Sequence, residues 1–159
     1  MADPVLVSLL GMSASPTRSD LRRSTTSEQS GPRRLFAALV ALTVLFVFLQ
    51  SLTAGEFISD GLSGAAKHTW TDVHGFVAYP IMVSALAASV VGFARLRASR
   101  DAAAWAGALF ALSVLQWLLG HCITTLGWDW VTPWHVVLAF VVYGVAVWLL
   151  VRAVAMLRD

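Results

Sequence analysis

Hydrophobic positions along this chain fall into four long blocks with no alternating pattern between them. Residues 35–55 read "LFAALVALTVLFVFLQSLTAG", almost without polar interruption. Comparable blocks cover residues 73–96, 102–123 and 133–157, with charge confined to their ends. A bilayer crossing takes about 20 mostly apolar residues. In lipid the backbone must satisfy its own hydrogen bonds, which leaves helices or a closed barrel. No stretch of about ten residues alternates as a barrel strand would. The pattern therefore predicts an all-α membrane protein, a bundle of four transmembrane helices within a domain spanning residues 33–159.

Residues 1–32 are patterned differently. They are rich in Ser, Thr and Arg and poor in aromatics, which predicts a disordered segment unable to build a core. The apolar run at residues 4–12 is too short to span and is preceded by an acid, Asp3, rather than the basic region of a signal peptide.

Composition agrees with the block pattern. The chain is 58% hydrophobic and 13% charged over 159 residues, against about 45–50% and about 25% in soluble proteins. A single cysteine, Cys122, excludes an internal disulfide and a CxxC metal or redox motif. The formal net charge is +2, but the position of the basic residues points to lipid rather than nucleic acid. Arg18, Arg22, Arg23, Arg33 and Arg34 precede the first block, Arg95, Arg97 and Arg100 separate the second from the third, and Arg152 and Arg158 end the fourth. Only Lys67 lies in the other loops. The positive-inside rule then predicts a plasma-membrane protein with both termini in the cytoplasm. Trp70, Trp128, Trp130 and Trp134 collect at the opposite, outer level, as an aromatic belt does.

The candidate chemistry also lies at that level. "TDVHGFVAY" and "TPWHVVLAF" each carry a histidine near the mouth of an apolar block, His74 and His135, with an alanine four residues on, Ala78 and Ala139. Aligning Gln50 with Gln116 pairs the first block with the third, and aligning the histidines pairs the second with the fourth. Two pseudo-repeated helical hairpins follow, related by an axis along the membrane normal. Such an axis directs both histidines to a shared centre. Two neutral imidazoles from opposite helices suit the axial positions of a haem iron, here a b-type haem. Ala78 and Ala139 would open a slot for it, and Gln50 and Gln116 would orient an imidazole or bind a propionate. The bland reading stays open beside this one: a histidine near a helix end sits in the headgroup region at little cost. His68 and His121 have no repeat partner. Asp72 is a candidate helix N-cap or imidazole partner, and Pro80 a candidate kink. No Ser-His-Asp set, phosphate loop or metalloprotease motif is present, and no catalytic residue is assigned.

Four helices with a histidine at the outer ends of the second and the fourth resemble one half of the heme A synthase family, over about residues 34–157. That resemblance implies a haem held by His74 and His135. The family's catalytic glutamate before the helix 2 histidine is absent, with Thr71 and Asp72 in its place, so the oxidative chemistry does not carry over. The chain also looks like small actinobacterial four-span membrane proteins of unknown function. Two functions follow as expectations. One is a b-type cytochrome-like protein passing electrons to a membrane redox partner. The other is a haem-free accessory or assembly subunit of a larger membrane complex.

Overall fold

The computed structural model describes the backbone of residues 18–158 and the side chains of residues 30–158. The described residues are helical with no strand, and four helices are long and apolar enough to cross a membrane. These are α1 (Arg18–Ile58), α2 (Gly64–Arg95), α3 (Arg100–Leu126) and α4 (Thr132–Ala155), with one 3-10 turn, Asp129–Val131, ahead of α4.

Three boundaries differ from the sequence expectation. α1 begins at Arg18, so residues 18–32 of the segment expected to be disordered continue the helix. Propagating an existing helix fixes one residue per hydrogen bond, whereas starting one is costly. A polar segment joined to a long apolar helix therefore gains helicity that it would lack alone. Pro32 lies inside this continuation. The run at residues 4–12 lies outside the described residues.

α2 begins nine residues before the expected position. Its N-cap is Ser63, whose Oγ accepts from the Ala66 amide at 3.3 Å, a standard way of satisfying a first-turn donor. His68, expected in a loop, is thus on the helix. Asp72 is not the cap; it pairs with His68 one turn back at 3.1 Å, both side chains being exposed. Pro80 sits within the continuous helix. At the other end, α3 runs to Leu126 and stops at Gly127. Its φ of 68° is left-handed backbone that only glycine adopts without strain. The Trp128 amide closes the end by donating to the Cys122 carbonyl at 3.2 Å.

The helices form a ring in which α1 packs on α2 and α4, and α3 packs on α2 and α4. α2 and α4 are consequently diagonal. The interior is built largely of small residues: Ala85, Ala88, Ala102, Ala103, Ala106, Ala146 and Ala153 are all buried. Phe36, Val40, Leu109 and Leu149 are the large side chains fully enclosed with them. At Gly92 a Cβ would lie 2.9 Å from the Ala103 Cβ, so α2 and α3 approach as closely as backbones allow. Thr43 and Ser84 join α1 to α2 in mid-bundle, with the Thr43 hydroxyl donating to the Ser84 Oγ at 2.8 Å. Ser84 in turn donates to the Pro80 carbonyl at 2.7 Å. Large apolar side chains face outward instead: Phe140, Phe76, Val83 and Phe93 are between 61% and 74% exposed.

Candidate functional site

The two singled-out histidines meet inside one end of the bundle. His74 projects from α2 and His135 from α4, across the diagonal, with ring centroids 6.5 Å apart and planes inclined at 59°. Each ring is partly buried, and each is held by the helix that precedes its own in the chain.

His74 is positioned from α1. Its Nδ1 lies 3.0 Å from the Gln50 carbonyl and 3.1 Å from the Thr53 Oγ1. The carbonyl can only accept, so Nδ1 carries the proton and donates to it. The Thr53 hydroxyl also donates to the Gln50 carbonyl, at 2.9 Å, and is left able to accept from the same imidazole. This tautomer leaves the Nε2 lone pair of His74 uncommitted. Phe57, one turn further along α1, meets the ring edge-on at 5.3 Å and fixes its tilt.

His135 is positioned from α3. Its Nε2 lies 3.1 Å from the Gln116 Nε2, which donates to it as a primary amide must. Gly120, one turn beyond Gln116, faces the same ring: a Cβ there would lie 3.1 Å from the His135 Cε1. The absent side chain is what lets the imidazole lie against α3. Three buried polar atoms at this end have no partner among the described residues: the Oε1 atoms of Gln50 and Gln116, and the His135 Nδ1. Buried polar groups are nearly always paired.

The expected residues separate into two groups. His74, His135, Gln50 and Gln116 come together, although Gln50 acts through its backbone carbonyl and not its amide. Ala78, partly buried, lies on the packed face of α2. Ala139 does not join them. It is exposed, because the inward face of α4 runs through His135, Leu138, Val142 and Ala146. At 100° per residue the position three after His135 turns inward here, and the position four after it turns out. Leu138, not Ala139, takes the inward position beside His135 on α4. Thr53, Phe57 and Gly120 were not singled out from the sequence. Thr53 was recoverable as the hydroxyl three residues after Gln50 on one helical face; the roles of Phe57 and Gly120 depend on tertiary approach.

His68 and His121 stay apart from the pair. His68 is bound to Asp72. His121 stacks on Trp117 at 5.5 Å and lies 3.3 Å from the Thr125 Oγ1 on its own helix. Among the described residues no three His, Cys, Asp or Glu side chains are gathered as a metal would need. The site offers two imidazoles and no more. Comparison of the chain with protein-family models, with curated proteins and with solved structures returns no match.

Proposed function

We propose that this chain is an integral plasma-membrane protein that holds a b-type haem between α2 and α4 and serves electron transfer. The membrane placement is supported by four apolar helices whose outward faces carry Phe, Val, Leu and Trp while the interior is alanine. Without a hydrophobic drive between helices, small interior residues and close approach are what hold such a bundle. The arginine distribution orients it with both termini cytoplasmic and the histidine end outward. The two hairpins read as a parallel pseudo-repeat, with Gln50 and Gln116 holding His74 and His135 from equivalent positions.

The single observation that carries the haem reading is the separation of the two imidazoles. With metal–nitrogen bonds of about 2 Å, two rings sharing one ion place their centres roughly 6 Å apart; here they stand 6.5 Å apart. A bare zinc or copper ion would want further protein ligands, and the cluster supplies two. A haem would need two protein ligands, and His74 and His135 would supply them. The orphaned oxygens of Gln50 and Gln116 flank the pair from α1 and α3 and are suited to polar groups on the periphery of such a cofactor.

A bound haem would supply one-electron chemistry at the iron. The chain's residues do the rest. Gln50 and Thr53 fix the His74 tautomer so that Nε2 keeps its lone pair. A hydrogen bond to the far nitrogen also raises the basicity of a ligating histidine. Gly120 gives the His135 ring its place against α3. Gln116 is bound to His135 Nε2 and must release it if that nitrogen is to ligate; Nδ1 carries the proton in this tautomer and could ligate only if the proton moved to Nε2 and the Gln116 amide turned its oxygen to accept it.

That Gln116 contact favours a second reading, a haem-free accessory subunit of a larger membrane complex. In it the histidines and glutamines are clamps between neighbouring helices, worth about 0.6 kcal/mol each and under about 2. The optical spectrum of the protein purified from haem-replete cells decides between them. Bis-imidazole ligation gives a six-coordinate, low-spin iron with sharp alpha and beta bands on reduction. A folded, monodisperse and colourless protein rejects the haem reading.

A further inference from the structure

At the arginine end, between α1 and α2, a groove of about 430 Å³ opens on the outside of the bundle. Its walls are Pro32, Leu35, Val90, Val91, Ala94 and Arg95. The lining is apolar except for Arg95, in the last turn of α2. Leu35 and Val90 are more than half exposed, so the groove is open to whatever surrounds the helices. We propose that it is a site for an anionic phospholipid, with an acyl chain against the apolar lining and the phosphate at Arg95.

Arg95 is the charged side chain that lines the groove. Arg33 is committed, donating from Nη1 to the Met156 carbonyl at 3.0 Å and tying α1 to the end of α4. Arg152 is committed to Asp101 at 2.9 Å. Arg95 has no ion-pair partner among the described residues, nor has Arg34, next in sequence to Leu35. A guanidinium matches two phosphate oxygens at once and is weakly hydrated, so it suits a headgroup at an apolar edge. Basic pockets between membrane helices on the cytoplasmic side are where anionic headgroups bind. A free phosphate would satisfy Arg95 and leave the apolar lining uncovered; an amphiphile with one acyl chain and an anionic head covers both. The inference rests on the membrane placement proposed above and is independent of the histidine pair.

The test is native mass spectrometry of the full chain in mild detergent, titrated with phosphatidylglycerol or phosphatidylcholine. Phosphatidylglycerol should be retained in preference. Arg95→Gln should weaken its retention about fivefold, the effect of one arginine at a membrane surface. Val90→Trp, at an exposed position, should weaken it by filling the groove. Arg97→Gln, at the same end but outside the groove, should leave it unchanged. Equal retention of phosphatidylcholine, an equal loss in Arg97→Gln, an unaffected Val90→Trp, or a protein subunit copurifying in place of lipid would each overturn the proposal. A chain that keeps its haem bands but holds no anionic lipid overturns this inference alone.

Discussion

The two ends of the bundle are built on opposite principles. Toward the arginines, α2 and α3 touch through Gly92 and Ala103, and the alanines around them are wholly enclosed. Toward the histidines, the interior is polar and partly buried, with His74, His135, Gln50, Gln116 and Thr53 in place of alanine and three buried atoms without partners among the described residues. Close packing contributes stability and tolerates no change of volume. A polar end joined by interhelical hydrogen bonds contributes less, about 0.6 kcal/mol for each bond. Under the function proposed above, folding belongs to one end and chemistry to the other, and substitutions at each should separate the two.

Gly92→Leu should have the largest effect on the fold. Even a Cβ there meets backbone and side-chain atoms of Ala103 at 2.9–3.0 Å, and neither can move far. Overpacking costs about 1–3 kcal/mol, occasionally more; the expected outcome is a sharp fall in folded, extractable protein, read by thermal unfolding in detergent. Normal unfolding would mean that the tight end is not the stabilising one.

His74→Ala and His135→Ala should do the reverse. Each should abolish or severely alter the reduced alpha and beta bands while shifting unfolding little, since an interhelical hydrogen bond in a bundle of this kind averages about 0.6 kcal/mol. His68→Ala and His121→Ala, outside the pair, should leave the spectrum intact. If all four variants retain identical spectra, the histidine end has no ligand role.

Gly120→Ala comes next. The added methyl carbon lies 3.1 Å from the His135 Cε1, so the ring must shift by a few tenths of an ångström. Haem content should fall partially, with no comparable loss of fold. Thr43→Val, in the mid-bundle link to Ser84, should cost about 0.6 kcal/mol of stability and under about 2, and leave any spectrum unchanged.

How much of this was legible in the sequence follows from range. The four helices were legible because an apolar block is a local signal. The histidine pairing was legible because two similar segments carried it at matched positions. Helix ends were read less well. Ser63 caps α2 ten residues upstream of the apolar block, ahead of a stretch "GAAKHTW" whose alanines extend a helix without lengthening a hydrophobic run. Thr53 and Gly120 act across helices, and only the packing angle of α1 on α2, and of α3 on α4, brings them to the rings. Ala139 was misplaced because α4 turns the third position after its histidine inward, not the fourth.

That misplacement makes the smallest predicted effect the sharpest comparison. Ala139 is exposed and Ala78 is partly buried on the packed face of α2. Under the repeat read from sequence the two alanines are equivalent, and leucine at either should exclude a cofactor. Under the packing described here they are not. Ala139→Leu adds apolar surface to an outward face already lined by Val136, Phe140 and Tyr143, and its effect on stability should stay within the roughly 0.5 kcal/mol of an ordinary surface change, with spectrum and haem content unaltered. Ala78→Leu places the same added carbons one turn from His74, inside the ring of helices, and should lower haem content. Measuring the haem-to-protein ratio of both variants side by side tests the asymmetry directly. Equal losses would restore the symmetric slot and place Leu138 elsewhere; a loss at Ala78 alone confines the cofactor face to α2 and to the inward line of His135, Leu138 and Val142 on α4.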